Sequence, residues 1–518
     1  MPTDNATAPV PTAGSAPGSA PGSSPLPAQS TRLIIWSVAL LLLLAALDQT
    51  VVSTALPTIV ADLGGLEQLS WVVTSYILAA TVVAPLYGKL GDLYGRRVMV
   101  FISVGLFLFG SLLCGLAPSM TFLIVARAVQ GLGGGGLFVL ALSVVGDVIP
   151  PRDRGRIQGV FAAVFSLSSV IGPMTGGWFV QVASWHWIFL INLPLGLIAM
   201  AGFAASFPAL GNRVSHRIDW GGAAALAVCL AALTLVTSLG GTAFGWTSPQ
   251  ALGLIGLTLA ALALFIAIEA RAEEPILPLS LFRLNVFRNT SAIGFVTGAV
   301  LFGAVTFLPL YLQLAKGISP ANSGFMLIPM TLGIVATSTL AGLYMGRTGR
   351  YRLLPVLGLS VVTLGCLGLT QLQPDTNNIM FMAILFVFGL GLGGIFPVVT
   401  TAVQNAVPRE QLGTATAAGV MFRQVGGSLA VAAFGAVFVA RMAAGMAASG
   451  VALPDGVAIG PGMSAALPPE AMAALSSAIV QAITPIYWVA AGMALLGLVF
   501  ALTLTEVPLT GQGAPRGE

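Results

Sequence analysis

Charge is what this sequence has least of. Only 7% of its 518 residues are Asp, Glu, Lys or Arg, against 57% hydrophobic residues, where soluble domains carry about 25% charge. So few charges cannot cover a water-facing surface, which excludes a soluble globular protein and leaves one embedded in a bilayer. Histidine is nearly missing too: His186 and His216 stand apart near the ends of apolar runs. Without a cluster of His or carboxylates, a membrane-embedded enzyme has little to work with. The three cysteines, Cys114, Cys229 and Cys366, are far apart and lie inside apolar runs, so they read as small buried residues and not as a disulfide framework. The net charge of +4 belongs to the loops and gives no sign of a nucleic-acid partner. Acids are absent altogether from Asn289 to Gln373.

What is there is apolar sequence in lengths suited to crossing a membrane. Runs of roughly twenty apolar residues number about fourteen, the junctions near Gln250 and Arg409 being the least distinct. The expected fold class is an all-α integral membrane protein. An even number of spans places both termini on one side, and placing them in the cytoplasm puts seventeen of the twenty-one Lys and Arg residues there, all but Arg127, Lys316, Arg423 and Arg441. The positive-inside rule then fixes the orientation. Residues 1–30, mostly Pro, Ala, Gly, Ser and Thr, are expected to be a disordered cytoplasmic tail without the basic start of a secretory signal.

One acid stands deep in the first span. Asp48 begins a polar set, with Gln49, Thr50, Ser53 and Thr54, that is expected to face a cavity, because a carboxylate among lipid costs several kcal/mol. The fourth span holds the other costly charge of the first half, Arg127, followed by Gln130 and a glycine run from Gly131 to Gly136. Asp48 and Arg127 are natural partners. Burial disfavours a charged carboxylate and a neighbouring guanidinium favours it, so moving the two relative to each other would load or release a proton. A fixed pair that only ties helices together is the alternative. The fifth span carries Gly172-Pro173 and Gly176-Gly177, a bend that serves as a hinge or seal, or simply as a structural kink.

Repeats decide the architecture. Gly88, Gly95 and Arg96 recur as Gly342, Gly349 and Arg350, an offset of 342 − 88 = 254. Gly131-Leu132-Gly133 with Gly136 and Phe138 recurs as Gly389-Leu390-Gly391 with Gly394 and Phe396, an offset of 389 − 131 = 258. Pro151-Arg152-Asp153 recurs as Pro408-Arg409-Glu410, an offset of 408 − 151 = 257. Three echoes in one order, on one side of the membrane, predict two parallel six-helix halves around a midplane site. The expected division is an N-terminal bundle at 31–210, two inserted helices within 211–285, a C-terminal bundle at 286–505 with an external loop at 442–477, and a cytoplasmic tail at 506–518. The second half keeps the glycines and loses the charges: Asp92 has Gly346 as its counterpart, Arg127 has Leu385, and Arg423 is the one basic residue well inside a span.

These residues resemble the major facilitator superfamily, in particular its fourteen-helix drug:proton antiporter branch. Gly88 to Arg97 is similar to the signature between helices two and three; Arg127, Gln130 and Gly131 to the fourth-helix motif; Gly172-Pro173 with Gly176-Gly177 to the exporters' antiporter motif. Leu47-Asp48 through Pro57, and Trp185 to Phe189 with Asn192 and Pro194, resemble two further motifs of the branch. Ser168 stands where the antiporter motif often begins with Gly, and the second half lacks the extra acids that relatives handling divalent cationic drugs often carry.

The resemblance implies a multi-pass protein of the bacterial cytoplasmic membrane, an exporter and not an enzyme, driven by the proton gradient without cofactor or metal as its two halves rock. It implies proton coupling at Asp48 and Arg127, and a cytoplasmic latch of Gly88, Asp92, Gly95, Arg96 and Asp147 that favours the outward-facing state. The expected substrate is a lipophilic drug or toxic organic compound, cationic or neutral; a dedicated exporter of one metabolite, lipid or antibiotic is the alternative, and a channel is disfavoured by the hinge and the repeated halves. Tyr76, Gln130, Phe302, Met330, Phe396, Met421, Phe422 and Arg423 are candidate cavity residues by helix position, although aromatic and Met stripes are more often packing. The partners expected are the substrate, protons and lipid, and a monomer is expected.

Overall fold

The computed structural model describes residues 28–65, 68–207, 218–241, 243–449 and 469–509. Residues 1–27 of the predicted tail at 1–30, the loop containing His216, the middle of the predicted external loop at 442–477 and the last residues lie outside them; residues 28–30 open the first helix instead of belonging to a tail, and 442–449 and 469–477 extend the helices that flank the loop. Among the described residues every regular element is a helix, with one isolated bridge, Gly240 to Phe244, and no strand.

The first half contains α1 (Ala28–Leu63), α2 (Leu69–Tyr94), α3 (Arg96–Gly115), α4 (Met120–Val148), α5 (Pro151–Val182) and a sixth rod made of α6 (Trp187–Leu190) and α7 (Asn192–Ser206). Two further helices follow, α8 (Trp220–Leu239) and α9 (Pro249–Glu269). The second half contains α10 (Asn285–Leu310), α11 (Pro320–Met326) continuing into α12 (Ile328–Thr348), α13 (Leu353–Leu369), α14 (Asn378–Gly393) continuing into α15 (Phe396–Ala406), α16 (Leu412–Ser449) and α17 (Pro469–Leu502). Among the described residues, twelve of the helices and helix pairs are long and apolar enough to cross a membrane. The two rods outside that number are α5, the most polar of the long helices, and α13, apolar but only 17 residues long.

Local sequence sets the helix ends. The side chains of Ser119, Asp219 and Ser248 accept bonds from the first-turn N–H groups of α4, α8 and α9, which have no carbonyl partner within their own helix. Gly95, at φ 91°, makes the one-residue break between α2 and α3, and Gly349, at φ 68°, ends α12. These are backbone conformations that side chains bearing a Cβ rarely adopt.

Each half has its own core. Phe107, Val104, Leu140, Val144 and Phe203 pack in the first, and Phe307, Tyr311, Phe381, Phe388, Ile483 and Tyr487 in the second. The inserted pair forms no third bundle: α8 lies against both α2 and α16, covering the seam between the halves, while Leu252, Leu259, Leu264 and Ile266 of α9 remain exposed. An apolar surface of that kind is what lipid covers.

The halves meet at two glycine crossings near the face that carries both described chain ends, hereafter the terminal face. At one, Gly88 of α2 lies against Gly413 and Ala417 of α16, where an added Cβ would come within 2.7 Å of the Gly413 carbonyl. At the other, Gly342 of α12 lies against Gly155 of α5, where an added Cβ would come within 2.5 Å of the Gly155 carbonyl. Gln404 adds a bond to the Leu142 carbonyl at 3.0 Å, and deeper in, Gln424 donates to Thr81 at 2.7 Å. The molecule is closed on the terminal face.

Candidate functional site

Asp48 and Arg127 meet as the cost of buried charge predicts. Arg127 Nη1 lies 2.6 Å from Asp48 Oδ2, with each residue 1% exposed. Gln130 Nε2 donates to Asp48 Oδ1 at 2.7 Å and to Ser111 Oγ at 2.6 Å; Asn192 Nδ2 donates to the same two oxygens at 3.2 and 3.0 Å. Arg127 also donates to Gln130 Oε1 at 2.6 Å and to the Val72 carbonyl at 3.2 Å, and lies under the Tyr76 ring at 4.3 Å. The carboxylate is thus held by side chains from α4 and α7 and linked through Ser111 to α3.

One expectation fails here. The polar set on α1 does not face a cavity as a unit. Asp48 points into the first bundle and is sealed, Gln49 and Thr54 are exposed, and Thr50 is half-buried against the Ser168 carbonyl at 3.1 Å. The reason is helical geometry: consecutive residues point about 100° apart, so Asp48 is buried among its partners while Gln49 is exposed.

Sequence reasoning missed Asn192 as an Asp48 partner and Ser111 as a member of its network. Asn192 had a signal, since it stands in the motif after Trp185, but a neutral polar side chain does not demand a partner as a charge does. Ser111 had none.

The five predicted latch residues also come together, with a target the sequence did not name. Asp92 accepts from the backbone N–H groups of Gly413 at 2.9 Å and Thr414 at 2.7 Å, and from the Thr414 hydroxyl at 3.0 Å. It therefore caps the start of α16 across the seam, where a helix's first N–H groups and dipole favour an anion. Arg96 pairs with Asp92, reaches Asp147 at 2.9 Å and donates to the Gly88 carbonyl at 3.3 Å.

The glycines of α5 divide. An added Cβ on Gly172 would sit 2.0 Å from Thr50 Oγ1, and on Gly176 2.3 Å from Thr54 Oγ1, so both allow α1 and α5 to touch; Gly177 has nothing within 4 Å. The helix runs unbroken through Pro173, whose side chain lies outside the described part.

The candidate cavity residues scatter. Tyr76 and Gln130 belong to the Asp48 network. Met330 is buried in the second core, Met421 packs toward the inserted helices, and Phe422 meets Phe282 edge to face. Phe302 is 42% exposed. Only Phe396 and Arg423 share a cleft, in the second half, with the guanidinium 5.5 Å from the Phe396 ring centre. The three cysteines are free and buried.

Two repeated helix bundles, a sealed charge network in one of them and a latched seam define a membrane transporter, not an enzyme. The comparisons identify the family. The family model described as Major Facilitator Superfamily matches residues 38–431. The chain is 38% identical over 414 residues to the multidrug transporter protein MdtP of Bacillus subtilis (strain 168), covering 80% of this chain and 76% of the relative. It is 39% identical over 523 residues to the uncharacterized MFS-type transporter Rv1877 of Mycobacterium tuberculosis (strain ATCC 25618 / H37Rv), covering 98% and 76%. Among solved structures, the proton:xylose symporter XylE superposes with a TM-score of 0.61 at 13% identity, covering 92% of this chain and 96% of that one. This chain belongs to the major facilitator superfamily.

Proposed function

We propose that this transporter exports lipophilic organic compounds in exchange for protons, and that the terminal face is the cytoplasmic one. The observation that carries the reading is the sealed Asp48, held by Arg127, Gln130 and Asn192 in a molecule closed on that face. Breaking a buried ion pair by neutralising one member costs about 3–5 kcal/mol, so a proton arriving at Asp48 shifts the balance of the two orientations to the extent that the pair is tighter in one of them. The chain works as a monomer with no cofactor, crosses the membrane fourteen times if α5 and α13 both span it, and keeps both termini in the cytoplasm of a bacterium. The skew of Lys and Arg toward the terminal face supports that orientation. The name of the relative MdtP supports multidrug export.

Proteoliposomes test the reading. Asp48→Asn is expected to abolish dye efflux driven by a pH gradient while the protein still folds and inserts. Wild-type efflux rates in that variant would remove Asp48 from the mechanism.

A further inference from the structure

Arg423 stands apart from the other interior guanidinium groups. Arg96 and Arg127 each meet carboxylates, whereas Arg423 has neither an ion pair nor a hydrogen bond among the described residues. Its contacts are two phenyl rings, Phe138 of the first half at 5.4 Å and Phe396 of the second at 5.5 Å. Those rings are repeat equivalents, 396 − 138 = 258, the offset that also relates Gly131 to Gly389. A group between two repeat-related residues lies close to the axis relating the halves. It is also deep: 423 − 412 = 11 residues along α16 correspond to about 16 Å, near the middle of a hydrocarbon layer about 30 Å thick. Substrate sites in transporters built from repeats lie at that place.

The surrounding cleft has a one-sided hydrogen-bonding character. Thr290, Thr297, Thr400 and Thr416 line it, and each hydroxyl donates to a carbonyl of its own helix. Ser291 lines it too, is 6% exposed, and its Oγ has no partner. Both rings lie within cation–π range of the Arg423 guanidinium and take none of its N–H donors. Beside the acceptor lone pairs of those threonines, the uncommitted groups are a cation and a hydroxyl, with no carboxylate among the described residues that line the cleft. The free space, about 30 Å³, suits one or two waters or the oxygens of an acidic group. It is far below the roughly 300–1,000 Å³ of a site enclosing a whole drug-sized ligand.

We propose that the cleft between Arg423 and Ser291 binds the acidic head group, a carboxylate or sulfonate, of an amphiphilic substrate. This rests on the export reading and specifies its substrates: the cleft favours anions and disfavours the cations that the resemblance implied. A free small anion offers similar chemistry, and the test separates the two sources.

The probes are 11-(dansylamino)undecanoic acid and its methyl ester, titrated by dansyl fluorescence into the detergent-solubilised full chain, in chloride and in gluconate buffer. The acid is expected to bind the wild type at least about tenfold tighter than the ester, as a charge-assisted bond requires, with little difference between buffers. Arg423→Gln should bring the acid-to-ester ratio near one, Arg423→Lys should retain part of it, and Ser291→Ala should lower it a few-fold. Equal wild-type affinities, a ratio unchanged by Arg423→Gln, or displacement by chloride as effective as by the acid would each overturn the proposal. If Arg423→Gln does not fold, the wild-type, Arg423→Lys and Ser291→Ala measurements still decide it. Binding in detergent needs no proton gradient, so failure here leaves proton-driven export intact, and loss of gradient-driven export leaves this ratio standing.

Discussion

Asp92 has two jobs that a single atom change separates. Its oxygens accept two backbone bonds at the start of α16, and its charge pairs with Arg96. Asn in its place retains an oxygen for the Gly413 N–H but loses the charge that favours a helix start by about 0.3–1 kcal/mol, or up to about 2 when partly buried, along with the ion pair. We expect Asp92→Asn to open the terminal face, read as faster maleimide labelling of a cysteine placed at Thr416, which is buried in the closed molecule. Unchanged labelling would mean that the charge does not hold the seam. The Asp48–Arg127 pair was legible in the sequence because a buried charge must find another. Asn192 and Ser111 were not, because many neutral side chains satisfy their bonds on their own helix, as Ser143 does on Val139.

Among the helices, the two crossings are one design used twice. Gly88 on Gly413 and Gly342 on Gly155 are related by 342 − 88 = 254 and 413 − 155 = 258, so α2 meets α16 as α12 meets α5. Gly342→Ala places a methyl against the Gly155 carbonyl, and overpacking of this kind typically costs about 1–3 kcal/mol. A lower thermal midpoint together with a more accessible terminal face is expected. Within α5, Gly172→Ala should impair thermal stability through its contact with Thr50, while Gly177→Ala, facing open space, should be neutral or gain from the better helix propensity of Ala, about 1 kcal/mol at most. Equal losses at the two positions would show that the motif acts as a bend and not as packing. The glycines were legible as a repeat, but the sequence does not say which glycine opposes which, since that depends on how far each half rotates about its axis.

At the scale of the whole molecule the two crossings differ in what secures them. The first has the Asp92 cap; the second has Gly346 at that position and is secured by the chain after α17. Leu509 donates its N–H to the Gly349 carbonyl at 2.9 Å and accepts from Arg152 of the first half at 3.0 Å, while Glu506 accepts from the backbone of Tyr351 at 2.8 Å. Truncation after Thr505 removes that bond between the halves. A net loss of about 1 kcal/mol would raise the population open on the terminal face about fivefold, measurable by the same labelling; no change would make the segment a passive tail. By itself the sequence determined the membrane, the paired halves, the helices inserted between them and the two opposed buried charges, because scarcity of charge, period and repeat are properties of the chain. Only the tertiary structure decided that Asp48 turns inward, that Asp92 caps a helix of the other half, and that Arg423 meets two equivalent rings and no carboxylate among the described residues. Those depend on the relative rotation of helices hundreds of residues apart, which local pattern does not encode.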